Sequence, residues 1–138
     1  MTPVSILHIT KDLLVKNEET DQWEYKDDIT FDGHIEIEGG LGWVRFAAGI
    51  EATGHIWSEA GTGIEAGTGI EAGWGIKAGD GIEAGGGIIT FFHGGISAKW
   101  IIAIRVAVGF HLAQNEVQII KAEPRKGTLI TLGKLEDP

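Results

Sequence analysis

The sequence contains no cysteine, so neither a disulfide framework nor a thiolate metal site is open to it. No apolar run reaches the roughly 18 residues of a membrane-spanning helix, and the first residues lack a charged-then-apolar leader pattern. A soluble cytoplasmic protein is therefore expected. Bases are scarce where acids are dense. Residues 17–84 hold 15 acids against Lys26, Arg45 and Lys77, a net charge of −12, whereas residues 1–16 give +1 and residues 85–138 give +2, together −9. Phosphate binding needs basic surface, so the middle of the chain is not built to hold nucleic acid directly. It would attract a basic partner.

Glycine, by contrast, is abundant: 22 of 138 residues, about twice the usual share. The length suits one domain. Enough Ile, Val, Leu and Trp remain for a core, which disordered chains lack. Much of the glycine falls in a repeat, GIEAGT GIEAGW GIKAGD GIEAGG, over residues 63–86. Within each hexad Ile and Ala stand two apart, with Glu or Lys between them. An extended segment sends alternate side chains to opposite faces, so Ile and Ala point inward and the charge outward. Gly-x-Gly then allows a corner, because glycine tolerates positive φ. A helix fits poorly, since two glycines per hexad would each cost roughly 1 kcal/mol against alanine.

The same spacing runs outside the clean copies. It appears at Ile29/Phe31, Ile35/Ile37, Val44/Phe46, Ile50/Ala52, Ile56/Ser58 and Ile88/Thr90. After a two-residue insertion it returns at Ile96/Ala98, Ile102/Ile104 and Val108/Phe110. Leu13/Val15 reads as an earlier unit, and Leu41/Trp43 as one out of phase. A strand this short buries a face only when the chain coils and stacks on itself. The expectation is an all-β parallel β-solenoid of six-residue strand-and-corner units. Two sides would place Glu65 over Lys77 in a 12-residue coil. Three sides place Glu65 over Glu83 in a coil of about 18 residues, and the bulk of Ile, Phe, Trp and Val favours three. Residues 29–110 would form the solenoid within a single domain. Residues 1–28 would form an N-terminal cap, with SILHI (5–9) as a strand and an acidic insertion at 18–27, either a hairpin or a loop. Residues 111–138 would form a C-terminal β-hairpin cap, turning at Pro124–Gly127 and laying Val117, Ile119, Ile130 and Leu132 over the last coil.

The units DITFDG, HIEIEG, GIEAGT and GIKAGD, with a tail ending TLITLGKL, resemble a group of small glycine-rich hexad-repeat proteins of bacteria and phage. The resemblance spans roughly residues 12–135. It implies the solenoid and brings no active site with it. Hexapeptide-repeat acyltransferases are a weaker match: they place a small residue four after the aliphatic one, where this chain has Thr68, Trp74, Asp80 and Gly86.

Catalytic constellations are not assembled by the sequence. His8, His34, His55, His93 and His111 stand at irregular intervals without an HxxxH pair, so no metal and no cofactor is expected. Ser5, Ser58 and Ser97 lack a GxSxG context. Threonine ranks suited to ice stop after Thr62 and Thr68. What remains is a non-catalytic acidic binder, whose carboxylates imitate the charge spacing of nucleic acid and occupy the basic surface of a host defence protein. The residues expected to carry it are Glu51, Glu59, Glu65, Glu71, Asp80 and Glu83, with Trp74 as an anchor. The alternative is a structural solenoid that self-associates, and a homodimer is expected in either case.

Overall fold

The computed structural model describes residues 5–92, 95–109 and 119–137. It is a three-sided β-solenoid whose strands pair in parallel from coil to coil. The chain enters through β1 (Ile6–Ile9), a 3-10 turn at Lys11–Leu13, β2 (Val15–Asn17) and β3 (Gln22–Tyr25). The first face then holds β4 (Ile29–Phe31), β7 (Ile50–Ala52), β10 (Ile70–Ala72), β13 (Gly87–Thr90), β15 (Arg105–Ala107) and β17 (Leu129–Leu132). The second holds β1, β5 (His34–Ile37), β8 (Ile56–Ala60), β11 (Ile76–Gly79), the start of β14 (Ile96–Ile102), β16 (Ile119–Pro124) and β18 (Lys134–Glu136). The third holds β3, β6 (Gly42–Phe46), β9 (Thr62–Ala66), β12 (Ile82–Ala84) and the end of β14, which rounds the corner as one strand. Six passes through the first face make five turns.

The inward isoleucines set this architecture. Ile29, Ile50, Ile70, Ile88 and Val106 lie in register on the first face, Ile35, Ile56, Ile76, Ile96 and Ile120 on the second, and Val44, Ile64, Ile82 and Ile101 on the third. All are buried, and burying each side chain is worth about 1.5–3 kcal/mol. The three-sided coil is the observed one, since Glu65 pairs with Glu83 and Glu51 with Glu71. Successive passes of the first face are 21, 20, 18, 18 and 24 residues apart, counted from Ile29 through Ile50, Ile70, Ile88 and Val106 to Ile130. The 18-residue coil thus describes the middle, and corner insertions lengthen the rest.

Corner glycines serve a purpose other than the expected one. Gly67, Gly73, Gly79 and Gly85, fifth in their hexads, are not among the positive-φ residues. A Cβ on any of them would overlap the carbonyl oxygen of the coil below, that of Ala47, Thr53, Glu59 and Gly67 respectively. Close stacking of rungs at the corner, rather than left-handed backbone, requires glycine there. Polar residues at inward positions are satisfied. The Ser58 hydroxyl donates to the Thr62 carbonyl at 2.6 Å, and the Thr62 hydroxyl donates to that of Glu38 at 2.8 Å. Thr62 is buried whereas Thr68 is exposed, so they form no common rank.

Several expectations are corrected. The C-terminal segment is not an antiparallel hairpin: β16, β17 and β18 each pair in parallel with the coil below. The turn at Arg125–Thr128 forms, with positive φ at Lys126 and Gly127, but it makes one more solenoid corner. Parallel stacking, with a register shift in each pair, covers the edges of β14 and β15 strand by strand, which a crossing hairpin would not. Consequently Ile120 and Ala122 face inward, Ile130 packs half-buried against the core, and Ile119 and Leu132 are exposed; Val117 lies outside the described residues. Ile102/Ile104 slip by one, with Ile101 and Ala103 buried and Ile104 exposed. The cause is spacing. Ile96 to Ile101 and Ile101 to Val106 are five-residue steps where the coil below takes six, from Ile76 to Ile82 to Ile88. Together they offset the two-residue insertion before Ile96. Val108 is buried as expected, and Phe110 lies outside the described residues. At the start, Leu14 is buried in place of Leu13 and Val15. Leu41 is buried but belongs to the corner leading into β6, not to a separate unit. The acidic insertion is a hairpin. Val15–Asn17 pairs antiparallel with Gln22–Tyr25, and the Asn17 carboxamide oxygen accepts from the backbone N–H of Glu19 and Thr20. Its second strand joins the wall against Val44–Phe46.

Candidate binding surfaces

Because each outward position is revisited once per coil, residues about 20 apart become neighbours and residues six apart go to different faces. The expected acidic residues are divided accordingly. Glu51 and Glu71 are adjacent on the first face. Glu65 and Glu83 are adjacent on the third, continuing the row Glu24–Arg45. Glu59 and Asp80 stand at the corner between the second and third faces, where Gly79 pairs with Ala60. Trp74 is at the corner between the first and second, half exposed and tilted against Phe92 at 5.8 Å.

Local charge differs between the two glutamate pairs. The Glu65 carboxylate lies 3.4 Å from the Arg45 guanidinium and accepts from the Gln22 amide at 3.0 Å, so it is neutralised within the molecule. On the first face Glu51 and Glu71 share a shallow cleft of about 280 Å³ with Asp28, Thr30 and Thr68. Burial pushes the Glu71 carboxyl above the ordinary carboxylate range, and the Glu51 charge one rung away pushes in the same direction. Among the described residues no base lines that cleft.

The second face carries what the hexad pattern did not reveal. Its outward row is Glu36, Trp57, Lys77, Ser97 and Lys121. Beside it, one residue before each inward isoleucine, runs the row His34, His55, Gly75, Gly95 and Ile119. The rings of His34 and His55 stack at 3.8 Å, and those of His55 and Trp57 at 3.7 Å. His55 is held by Glu36 at 3.1 Å, and its backbone N–H donates to the His34 ring at 2.9 Å. Burial lowers the His55 pKa below the ordinary imidazole value, and His34 lowers it further against the opposing hydrogen bond from Glu36. The row opens into a groove of about 710 Å³ walled by these rings, Trp74, Ile119 and Lys121. Counting the sequence at 20–21 residues instead of six brings His34 to His55 and Trp57 to Lys77 and Ser97. That was the available signal.

Trp100 and Trp43 pack on the third face at 5.3 Å, over the space left by Gly63 and Gly81. Arg125 lies 5.2 Å above the Trp100 ring. Among the described residues no three His, Asp or Glu side chains converge as metal ligands; His93 and His111 lie outside them. No helix there is long and apolar enough to cross a membrane. Comparison with known proteins found no matching family model, no matching curated protein and no matching solved structure.

Proposed function

We propose that this chain is a non-catalytic binding protein that places a rigid ladder of carboxylates on the basic surface of a nucleic-acid-binding protein. The observation that carries this reading is the Glu51–Glu71 pair, stacked one rung apart in a cleft that no base lines among the described residues, with the Glu71 carboxyl raised. Such a pair gains from any cation that approaches it. A solenoid fixes its separation, so little entropy is lost on binding, and an acidic face speeds association with a basic one. Glu83 on the third face and Glu59 and Asp80 at its corner with the second lie away from that cleft, and Glu65 is engaged by Arg45. A defence nuclease fits as partner because its own substrate is a regularly spaced polyanion.

The test is capture on the immobilised protein, followed by association kinetics with the purified partner at about 50 and 300 mM salt. Glu51→Lys/Glu71→Lys should slow association about tenfold at low salt, and wild-type association should fall as salt rises. Equal association of variant and wild type at low salt overturns the reading.

A second reading, self-association, is favoured by the C-terminal rung. Leu135 stands over Ile120 at an inward position, yet it is exposed because no described strand pairs beyond β18. Leu129 and Leu132 on β17 are exposed beside it. An open parallel edge with three leucines can stack on another copy, as a dimer or head to tail. Leu132→Lys/Leu135→Lys should then yield a monomer by light scattering.

A further inference from the structure

We propose that the groove of the second face is a binding site for a planar aromatic anion of about mononucleotide size, its ring stacked on Trp57 and its anionic group held by Lys77 and Lys121. The site is separate from the acidic cleft of the first face and does not depend on it. Three observations carry the assignment.

A stack of rings is already built. His34, His55 and Trp57 lie with interplanar angles of 15° and 9°, at the separations of face-to-face aromatic contact. One face of Trp57 rests on His55, and Trp57 is 44% exposed along the groove wall, so part of the indole is open to the groove. The hydrogen bonds of Glu36 and His34 to His55 hold the stack in place before a ligand arrives.

The stack also stops where space begins. The row that supplies His34 and His55 continues as Gly75 and Gly95, and side chains resume only at Ile119. Two rungs without a side chain in that row leave about 10 Å along the axis, at about 4.8 Å per rung. A stacked ring needs less than half of that. The volume of about 710 Å³ lies in the range of small-ligand sites.

The groove's charge opposes that of the rest of the chain. In a protein of net charge −9, no carboxylate among the described residues lines it, while Lys77 and Lys121 do, with Ser97 between them. Neither lysine is in an ion pair among the described residues. Among the described residues, acids stand at its margins: Glu36, bonded to His55, and Glu136, on the rung after Lys121. Glu59 lies just beyond, at the end of β8. A single anionic group is accommodated between the lysines, and a long polyanion would run out over these acids.

The test is titration of the full chain with AMP and, separately, with naphthalene-2-carboxylate, read by calorimetry and by the indole N–H shifts. Adenosine and inorganic phosphate, each carrying one half of the recognised chemistry, are the controls. Saturable binding of at least one anion with Kd below about 1 mM is expected, with adenosine and phosphate at least about tenfold weaker. Preference between the two anions identifies phosphate or carboxylate as the group recognised. Lys77→Ala/Lys121→Ala should weaken the anion about tenfold and leave adenosine unchanged. Trp57→Ala should weaken both, and Trp57→Phe should restore most of the loss. Thermal melts check that each variant is folded, and all three positions are exposed. The proposal is overturned if neither anion saturates below about 10 mM, if adenosine binds as well as AMP, or if the double lysine variant binds like wild type.

Discussion

The first and second faces of the solenoid share the same inward isoleucines and the same one-rung spacing, yet their outward rows are opposites. One presents Glu51 and Glu71 around an acidic cleft; the other presents Trp57, Lys77, Ser97 and Lys121 around an aromatic, basic groove. Core and surface chemistry fall on different positions of the hexad. Its second and fourth positions face the core, the second almost always Ile or Val and the fourth ranging from Ala, Ser and Thr to Ile and Phe. Its first, third and sixth positions carry surface chemistry and vary from face to face. The sharpest way to break the division is to exchange neighbours across it. Ile76 is buried and Lys77 exposed. Ile76→Asp puts a charge without a partner into the core, and a loss above about 4 kcal/mol, enough to abolish a cooperative melt, is expected. Lys77→Asp should change stability by less than about 0.5 kcal/mol. Chemical denaturation of both variants decides, and a folded Ile76→Asp would refute the inward assignment.

Corners offer the next largest effect. Gly73→Ala would drive a Cβ into the Thr53 carbonyl of the coil below, so the rungs must separate locally. A loss of about 1–3 kcal/mol is expected, as for other overpacked sites. Gly87→Ala meets only ordinary contact, with the Arg105 carbonyl oxygen at 3.5 Å. It should be neutral or slightly stabilising, because alanine restricts the unfolded chain. Equal losses at the two positions would mean that conformational freedom, not rung spacing, places glycine in the repeat.

That contrast also marks where the sequence was legible. Alternation of Ile and Ala between corners is a two-residue signal repeated at six, and it located nearly every inward residue from Ile29 to Ala98. It failed where the step shortened to five, at Ile101 and Val106, because apolar residues are contiguous there and either phase fits. It failed at the C-terminus because Pro124–Gly127 signals a turn without specifying what the following strand pairs with. Backbone reversal and a solenoid corner use the same residues. The groove was invisible for another reason. Its members are about 20 residues apart, and that interval depends on corner insertions that no single hexad records.

The imidazole stack gives a smaller, pH-dependent effect. Burial and His34 hold the His55 pKa below the ordinary value of about 6.5. The folded protein therefore binds this proton less readily than the unfolded chain. The stability this confers is present above about pH 6.5 and is lost as pH falls through the folded value. Wild type should lose a few degrees of melting temperature on acidification below pH 6.5 that His55→Asn does not lose. Equal pH profiles would show that the stack carries no such penalty.

The smallest effect separates two glutamates that occupy the same hexad position. Glu65 faces Arg45 and Gln22, whereas Glu71 faces Glu51. The Glu71 carboxyl is raised by burial and by Glu51, so the folded state holds its proton more tightly than the unfolded chain. Its contribution to stability is full below the unfolded value of about 4.3 and is lost as pH rises through the folded one. At neutral pH the ionised Glu71 opposes folding. Glu71→Gln should then stabilise by about 0.5 kcal/mol at pH 7, and the gain should shrink toward zero below about pH 4. Glu65→Gln should destabilise by a similar amount at pH 7, because it removes a half-exposed ion pair. Urea titrations of the two variants at pH 7 and pH 4 measure both signs. If Glu71→Gln loses stability as Glu65→Gln does, a cation already serves the first-face cleft, and the acidic pair is not waiting for one from a partner.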